Sequence, residues 1–339
     1  MKSKKYTALP SRLLSRENAT VLIDSGAFLI IAANEDVLTS LPCGNWIGGT
    51  IPYFMGQNGG VTTRKDVFVT PIRWEDDFEP FIAIYDAATL SQICVEAPEN
   101  GYTVAVLPAF SDVHFEYAQN AQQYDDMFVK PVVGWISGIH LDDAGKCTPK
   151  VRDGRTTELL DNMAVVMHVP LPESVVAQIQ IVNLFSQGYG DALEFDQGGF
   201  EIERCRVNGR LTSFANYLQH IKHDTRLPIV ANYSGALINV SIKTIDVAND
   251  VVTLYAPVFP RVQYKLARPF SGSYEDAFQT QAATQLLSNT QFACNCVLNY
   301  LYSGLEGKQT GQITGPMTFG EIAYVLLNQT LVQLTLRSN

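Results

Sequence analysis

No apolar stretch of this 339-residue chain approaches the roughly 20 residues that a membrane-crossing helix needs. The first apolar runs, Val21–Ile23 and Ala27–Ala33, are parted by Asp24, Ser25 and Gly26. A secretory leader needs an uninterrupted apolar segment after its basic start. Here Lys2, Lys4 and Lys5 are followed by Tyr6, Pro10, Arg12, Arg16, Glu17 and Asn18, so a cytoplasmic protein is expected. Basic residues are also scarce, with 24 Lys and Arg against 34 Asp and Glu and a net charge of −10. Without a basic stripe to displace counterions, neither nucleic acid nor an anionic membrane surface is an expected partner. The six cysteines, Cys43, Cys94, Cys147, Cys205, Cys294 and Cys296, show no spacing of a disulfide framework, and reduced thiols are expected. Phosphate-loop, dinucleotide, Gly-x-Ser-x-Gly and His-Glu-x-x-His signatures are absent.

What is present is apolar and evenly mixed. Hydrophobic residues make up 46% and charged residues 17%, enough for a sizeable core and the length of two domains or one duplicated domain. Short apolar runs such as Val67–Ile72, Phe81–Tyr85, Thr103–Leu107 and Val132–Ile139 alternate with helical stretches. Ser15 is placed to cap one helix, Ser111 a second, and Thr212 or Ser213 a third. The second half reads as strands at 200–207, 237–246, 251–255 and 262–267, a helix over 273–287, a strand 291–296 running into a helix, and closing strands 317–326 and 330–336. The expected class is α/β (α+β): two mixed-sheet α/β halves packed together in a four-layer α/β/β/α arrangement, divided as 1–190 and 191–339.

Several side chains invite a chemical reading. Gly48 and Gly49, within Gly44–Thr50, mark either a tight turn or a close backbone approach by a ligand, with Trp46 and Tyr53 as a stacking wall. Cys294 and Cys296 share one face of a strand, and inert buried thiols compete there with a nucleophile. Glu321, between Phe319 and Ile322, must be hydrogen-bonded or face a cavity, as a ligand contact or a structural acceptor. Asn328, Gln329 and Thr330 read as a turn. His220 and His223, followed by Asp224, lack a third metal ligand, and no metal is expected. His114, His140 and His168 are isolated, and the acidic run Glu75, Asp76, Asp77 and Glu79 reads as a solvated loop.

Three separated motifs then stand in order: Phe292-Ala-Cys294-Asn295-Cys296, Gly315-Pro-Met-Thr-Phe319-Gly320-Glu321-Ile322 and Asn328-Gln329-Thr330-Leu331. Val207-Asn-Gly209 and Pro257-Val-Phe259 precede them. This pattern, over roughly 200–336, resembles the C-terminal half of the FIST sensory family, although the family's Arg after the Cys is absent and Pro316 and Met317 depart from its aromatic pairing. The resemblance implies a stand-alone sensory protein that binds a small molecule, such as an amino acid, and acts on a separate signalling protein. It implies no obligatory cofactor, with haem in some members. The expected pocket lies between the halves, lined by Asn45, Trp46, Gly49, Tyr53, Cys294, Asn295, Glu321 and Asn328. An enzyme with Cys294 as nucleophile and Glu321 as acid/base, and a haem-based sensor, are the alternatives.

Overall fold

A computed structural model describes residues 10–75, 77–233, 235–269, 272–285 and 290–338. The basic residues Lys2, Lys4 and Lys5, Asp76 of the acidic run, and the expected helix end at Leu287 lie outside the described residues. Helices begin where the sequence supplies caps. Ser15 accepts from the Asn18 N–H at the start of Arg16–Asp24, Ser111 from His114 ahead of Asp112–Asn120, and Ser213 from Asn216 ahead of Phe214–His220. The Asn208-Gly209 turn joins strands Arg204–Val207 and Arg210–Ser213 with positive φ at both residues, the geometry that a two-residue hairpin requires.

The class is mixed α/β. Helices Arg16–Asp24 and Glu35–Ser40 cover one face of a five-stranded sheet that contains the parallel strands Leu29–Ala33 and Trp46–Thr50. The other face packs on a central six-stranded sheet built around the parallel strands Gly101–Pro108 and Val132–Ser137. Helix Asp112–Asn120 lies beyond that sheet, which completes a helix–sheet–sheet–helix order. All eight residues of Gly101–Pro108 are buried. Tyr102, Val104 and Val106 enter the core shared with the first sheet. Ala105 and Leu107 enter the core shared with the two C-terminal sheets. Each Val or Leu so enclosed contributes about 1.5–3 kcal/mol, so this strand is the keel of both cores.

The sheets draw strands from both sides of residue 190. Hairpin Tyr53–Gly56/Gly59–Thr62 joins the sheet of Thr290–Cys296 and Thr330–Ser338 by pairing with Gly315–Thr318, Gly315 opposite Met55 and Pro316 opposite Phe54. In return, Glu321–Ala323 pairs with the central sheet, Glu321 opposite Trp135. The single strand expected over 317–326 is therefore corrected to three pieces, Gly315–Thr318, Glu321–Ala323 and Val325–Leu327. The chain leaves one sheet for the other at Phe319-Gly320 and turns back at Tyr324, whose φ is 64°. Likewise 237–246 is two strands, Ala236–Val240 and Ile242–Asp246, because the chain changes sheets at Ser241.

Candidate functional site

The three C-terminal motifs converge. Strand Thr290–Cys296 runs parallel to Gly315–Thr318 and antiparallel to Thr330–Ser338, and ends in the six-residue helix Val297–Tyr302. Cys294, Asn295, Glu321 and Asn328 meet here, and all four are buried. One carboxylate oxygen of Glu321 accepts the Thr330 N–H at 3.1 Å and the Thr330 hydroxyl at 2.8 Å. The other has no partner among the described residues. Burial pushes the Glu321 carboxyl up to about 8, against the opposing pull of the hydrogen bonds from Thr330. The acid is therefore mostly protonated at pH 7.

The same surroundings disarm the thiols. Burial first, and Glu321 second, push Cys294 and Cys296 well above the ordinary thiol value. Cys294 donates to the Gly134 carbonyl at 3.3 Å. A nucleophile needs the thiolate and a base hydrogen-bonded to it, whereas Cys294 is held as the thiol and donates to Gly134 rather than to Glu321. These are the surroundings of a buried, unreactive thiol.

A polar cavity of about 470 Å³ adjoins this cluster, bounded by Phe185, Asp224, Arg226, Ser273, Asn299, Tyr302, Ser303 and Gln329, among others. The motif enters its wall through Gln329, not Asn328. Gln329 has a left-handed backbone, φ 51°, and its side chain is tied at both ends. Its amide donates to the Arg226 carbonyl at 2.9 Å and accepts from Ser241 at 2.7 Å. Asn299 stands beside it, 2% exposed. The orientation of the Asn299 amide is fixed by its neighbour. Asn295 Oδ1 already accepts the Cys296 N–H at 2.7 Å, so Asn299 must turn its NH₂ group to that oxygen, at 2.9 Å. Asn299 Oδ1 is left buried without a donor among the described residues. Arg226 grips Asp224 in a two-point contact, Nη2 to Oδ2 at 2.7 Å, and both side chains remain substantially exposed. Hydrogen bonds from Arg226 hold the Asp224 carboxyl below its ordinary range.

The N-terminal candidates serve packing. Trp46 is fully buried, donates to the Pro42 carbonyl at 3.0 Å and lies under the Arg152 guanidinium. Asn45 donates to the Gly26 carbonyl at 3.3 Å. Gly48 and Gly49 sit within a strand, so the turn reading is corrected, and the partner that approaches them is the protein itself. A Cβ on Gly49 would stand 2.8 Å from Val106 and 3.0 Å from Trp135, and one on Gly48 only 2.4 Å from the Ile31 carbonyl oxygen. Tyr53 accepts the Leu141 N–H at 3.0 Å and stacks on His140. None of the eight expected lining residues borders the 470 Å³ cavity. Asn295 reaches it through Asn299 alone. Asn299, Gln329 and the Asp224–Arg226 pair were missed as lining residues because they come from separate segments that only the tertiary structure brings together. The only hint was the polar run Asn328-Gln329-Thr330 between apolar strands.

The histidines do not gather. Buried His168 has its ring nitrogens on Tyr85 and Thr103, and His114 takes the Phe110 N–H. His223 lies against the Leu227 carbonyl at 2.9 Å. Among the described residues, no three His, Cys, Asp or Glu are grouped to hold a metal ion. Nor is any helix of the described residues long and apolar enough to cross a membrane. Residues 14–337 match a family described as a family of unknown function, DUF6976. No curated protein matches the chain.

Proposed function

We propose, for a chain that belongs to the DUF6976 family, that it is a small-molecule receptor that takes a zwitterion of amino-acid type in the cavity beside Asn299. One observation carries the reading: Asn299, a residue of the cavity lining, has a buried, orientation-locked carbonyl oxygen that lacks a hydrogen-bond donor among the described residues. Such an orphan costs about 1–3 kcal/mol, and a ligand ammonium would relieve it. The Asp224–Arg226 pair supplies the complement. An exposed ion pair contributes only about 0–1 kcal/mol, so a ligand with both charges can replace it, its carboxylate on Arg226 and its ammonium toward Asp224 and Asn299. The sensory role, exerted through a separate signalling protein in the cytoplasm, follows the FIST resemblance. The six cysteines, free thiols spread along the chain, suit a reducing compartment.

Calorimetric titration with the common amino acids at millimolar concentration tests it. At least one should bind, with affinity reduced about tenfold or more in Asn299→Leu and in Arg226→Ala. No binding by any amino acid, or equal binding by both variants, sinks the reading.

A further inference from the structure

We infer that a second cleft, distinct from the polar cavity, is a binding site for an amphiphilic anion: an apolar body with one carboxylate head. The cleft encloses about 650 Å³, within the usual range for small-ligand sites. It lies where two pairs of parallel strands end. Gly101–Pro108 and Val132–Ser137 form one pair, and Thr290–Cys296 and Gly315–Thr318 the other. The residues just past those ends, among them Phe110, Ile139, Val297 and Phe319, line the cleft. The carboxyl ends of parallel strands are the general location of ligand sites in α/β sheets, because the connections diverge there and leave a crevice.

The lining is apolar where solvent would favour polar groups. Phe110 is 47% exposed, Leu141 42% and Leu301 38%. Phe110 also has φ 65°, a left-handed conformation that is unfavourable for a bulky residue. The His114 ring holds it there by accepting the Phe110 N–H at 3.2 Å. The strained backbone presents the aromatic ring to the cleft, edge-on to Phe319 at 6.4 Å. Above that ring, 4.4 Å from its centroid, stands the Lys243 ammonium, delivered by Ile242–Asp246 of a third sheet. Lys243 forms no ion pair among the described residues. The other charged group of the lining, Asp161, is not within salt-bridge distance of it. In a chain of net charge −10, an unpaired cation at an apolar crevice selects an anionic head whose body lies on Phe110, Phe319 and Leu301.

The short helix Val297–Tyr302 separates the two sites. Val297, Leu298 and Leu301 border the cleft, Asn299 borders the polar cavity, and Tyr302 borders both. The proposal therefore stands without the amino-acid reading. Titration of the full chain with dodecanoate, dodecanol and dodecylamine tests it. Dodecanoate is expected to bind at least tenfold more tightly than dodecanol. Lys243→Ala should remove that preference with dodecanol binding unchanged, Lys243→Arg should keep it, and Asn299→Leu should leave it intact. Lys243 is exposed, so its replacement spares the core. Equal binding of acid and alcohol, preference for the amine, a preference that survives Lys243→Ala, or no binding of any of the three overturns the proposal.

Discussion

Glu321 receives both of its Thr330 hydrogen bonds on a single carboxylate oxygen, at 3.1 and 2.8 Å, and its other oxygen is buried without a partner among the described residues. Burial favours the protonated acid, against the pull of those hydrogen bonds. Its value lies near 8 in the folded protein against 4.5 ordinarily. The folded state therefore holds a proton that the unfolded chain releases across this window. The stabilisation is fully present below pH 4.5 and falls by about 1.4 kcal/mol per pH unit until the pH passes 8. Glu321→Gln keeps the shape and removes the titration. Urea unfolding midpoints between pH 5 and 8.5 should lose this slope in the variant; an unchanged slope would refute the assignment.

On the acid side three histidines work in the opposite direction, since burial also holds His223 below its ordinary value. Burial pushes His114 and His168 down to about 4, His168 with a further push from Lys130. Each releases its proton on folding between about pH 4 and its ordinary value of 6.5. Their stabilisation is complete above pH 6.5 and is lost as the pH falls through 4. Combined with Glu321, which works in the opposite direction, they place maximal stability near pH 6.5. From pH 4.5 to 6.5 stability should rise with pH, and more steeply by about one proton in Glu321→Gln. Thermal unfolding across that range checks this, and a flat acid limb in the variant contradicts it.

Gly49→Ala is expected to destabilise by about 1–3 kcal/mol through overpacking, since the added methyl would meet Val106, Ser137 and Trp135 at 2.8–3.0 Å. Gly48→Ala should be worse, because its obstacle is the Ile31 carbonyl, which cannot rotate away. Denaturant midpoints compare the two. A stabilised Gly49→Ala would show that the two facing sheets have slack.

Thiol reactivity should separate the six cysteines. Cys43 is exposed and Cys147 partly so, whereas Cys94, Cys205, Cys294 and Cys296 are buried. Burial pushes Cys94 and Cys205 up to about 12. An aromatic disulfide reagent at pH 8 should modify Cys43 fast and Cys147 slowly, and the other four only in denaturant. Rapid native modification of Cys294 would revive the nucleophile reading.

Much of the fold was legible because its signals are local. Phe81–Tyr85 appears at the expected bounds, Ser15, Ser111 and Ser213 cap the helices assigned to them, and the C-terminal motifs meet. The sheet changes at Phe319-Gly320 and Ser241 were illegible, since an apolar run reads as one strand whether or not its two ends pair with different partners. The glycines of Trp46–Thr50 misled for a related reason. Close approach was right, but sequence does not say whether a ligand or the Ile31 carbonyl makes it. The cavity residues Asn299 and Asp224 come from segments 75 residues apart, a juxtaposition that only tertiary structure creates.

The pairing of Gly315 with Met55 and of Glu321 with Trp135 has a consequence for synthesis. Until the ribosome has made residues 315–323, hairpin 53–62 has no sheet to join and the strand 132–137 keeps a bare edge. Unpaired edges are templates for other chains, and such distant pairings close slowly. The nascent protein thus remains sticky until residues 315–323 emerge, and its yield in cells should depend on chaperones that shield those edges.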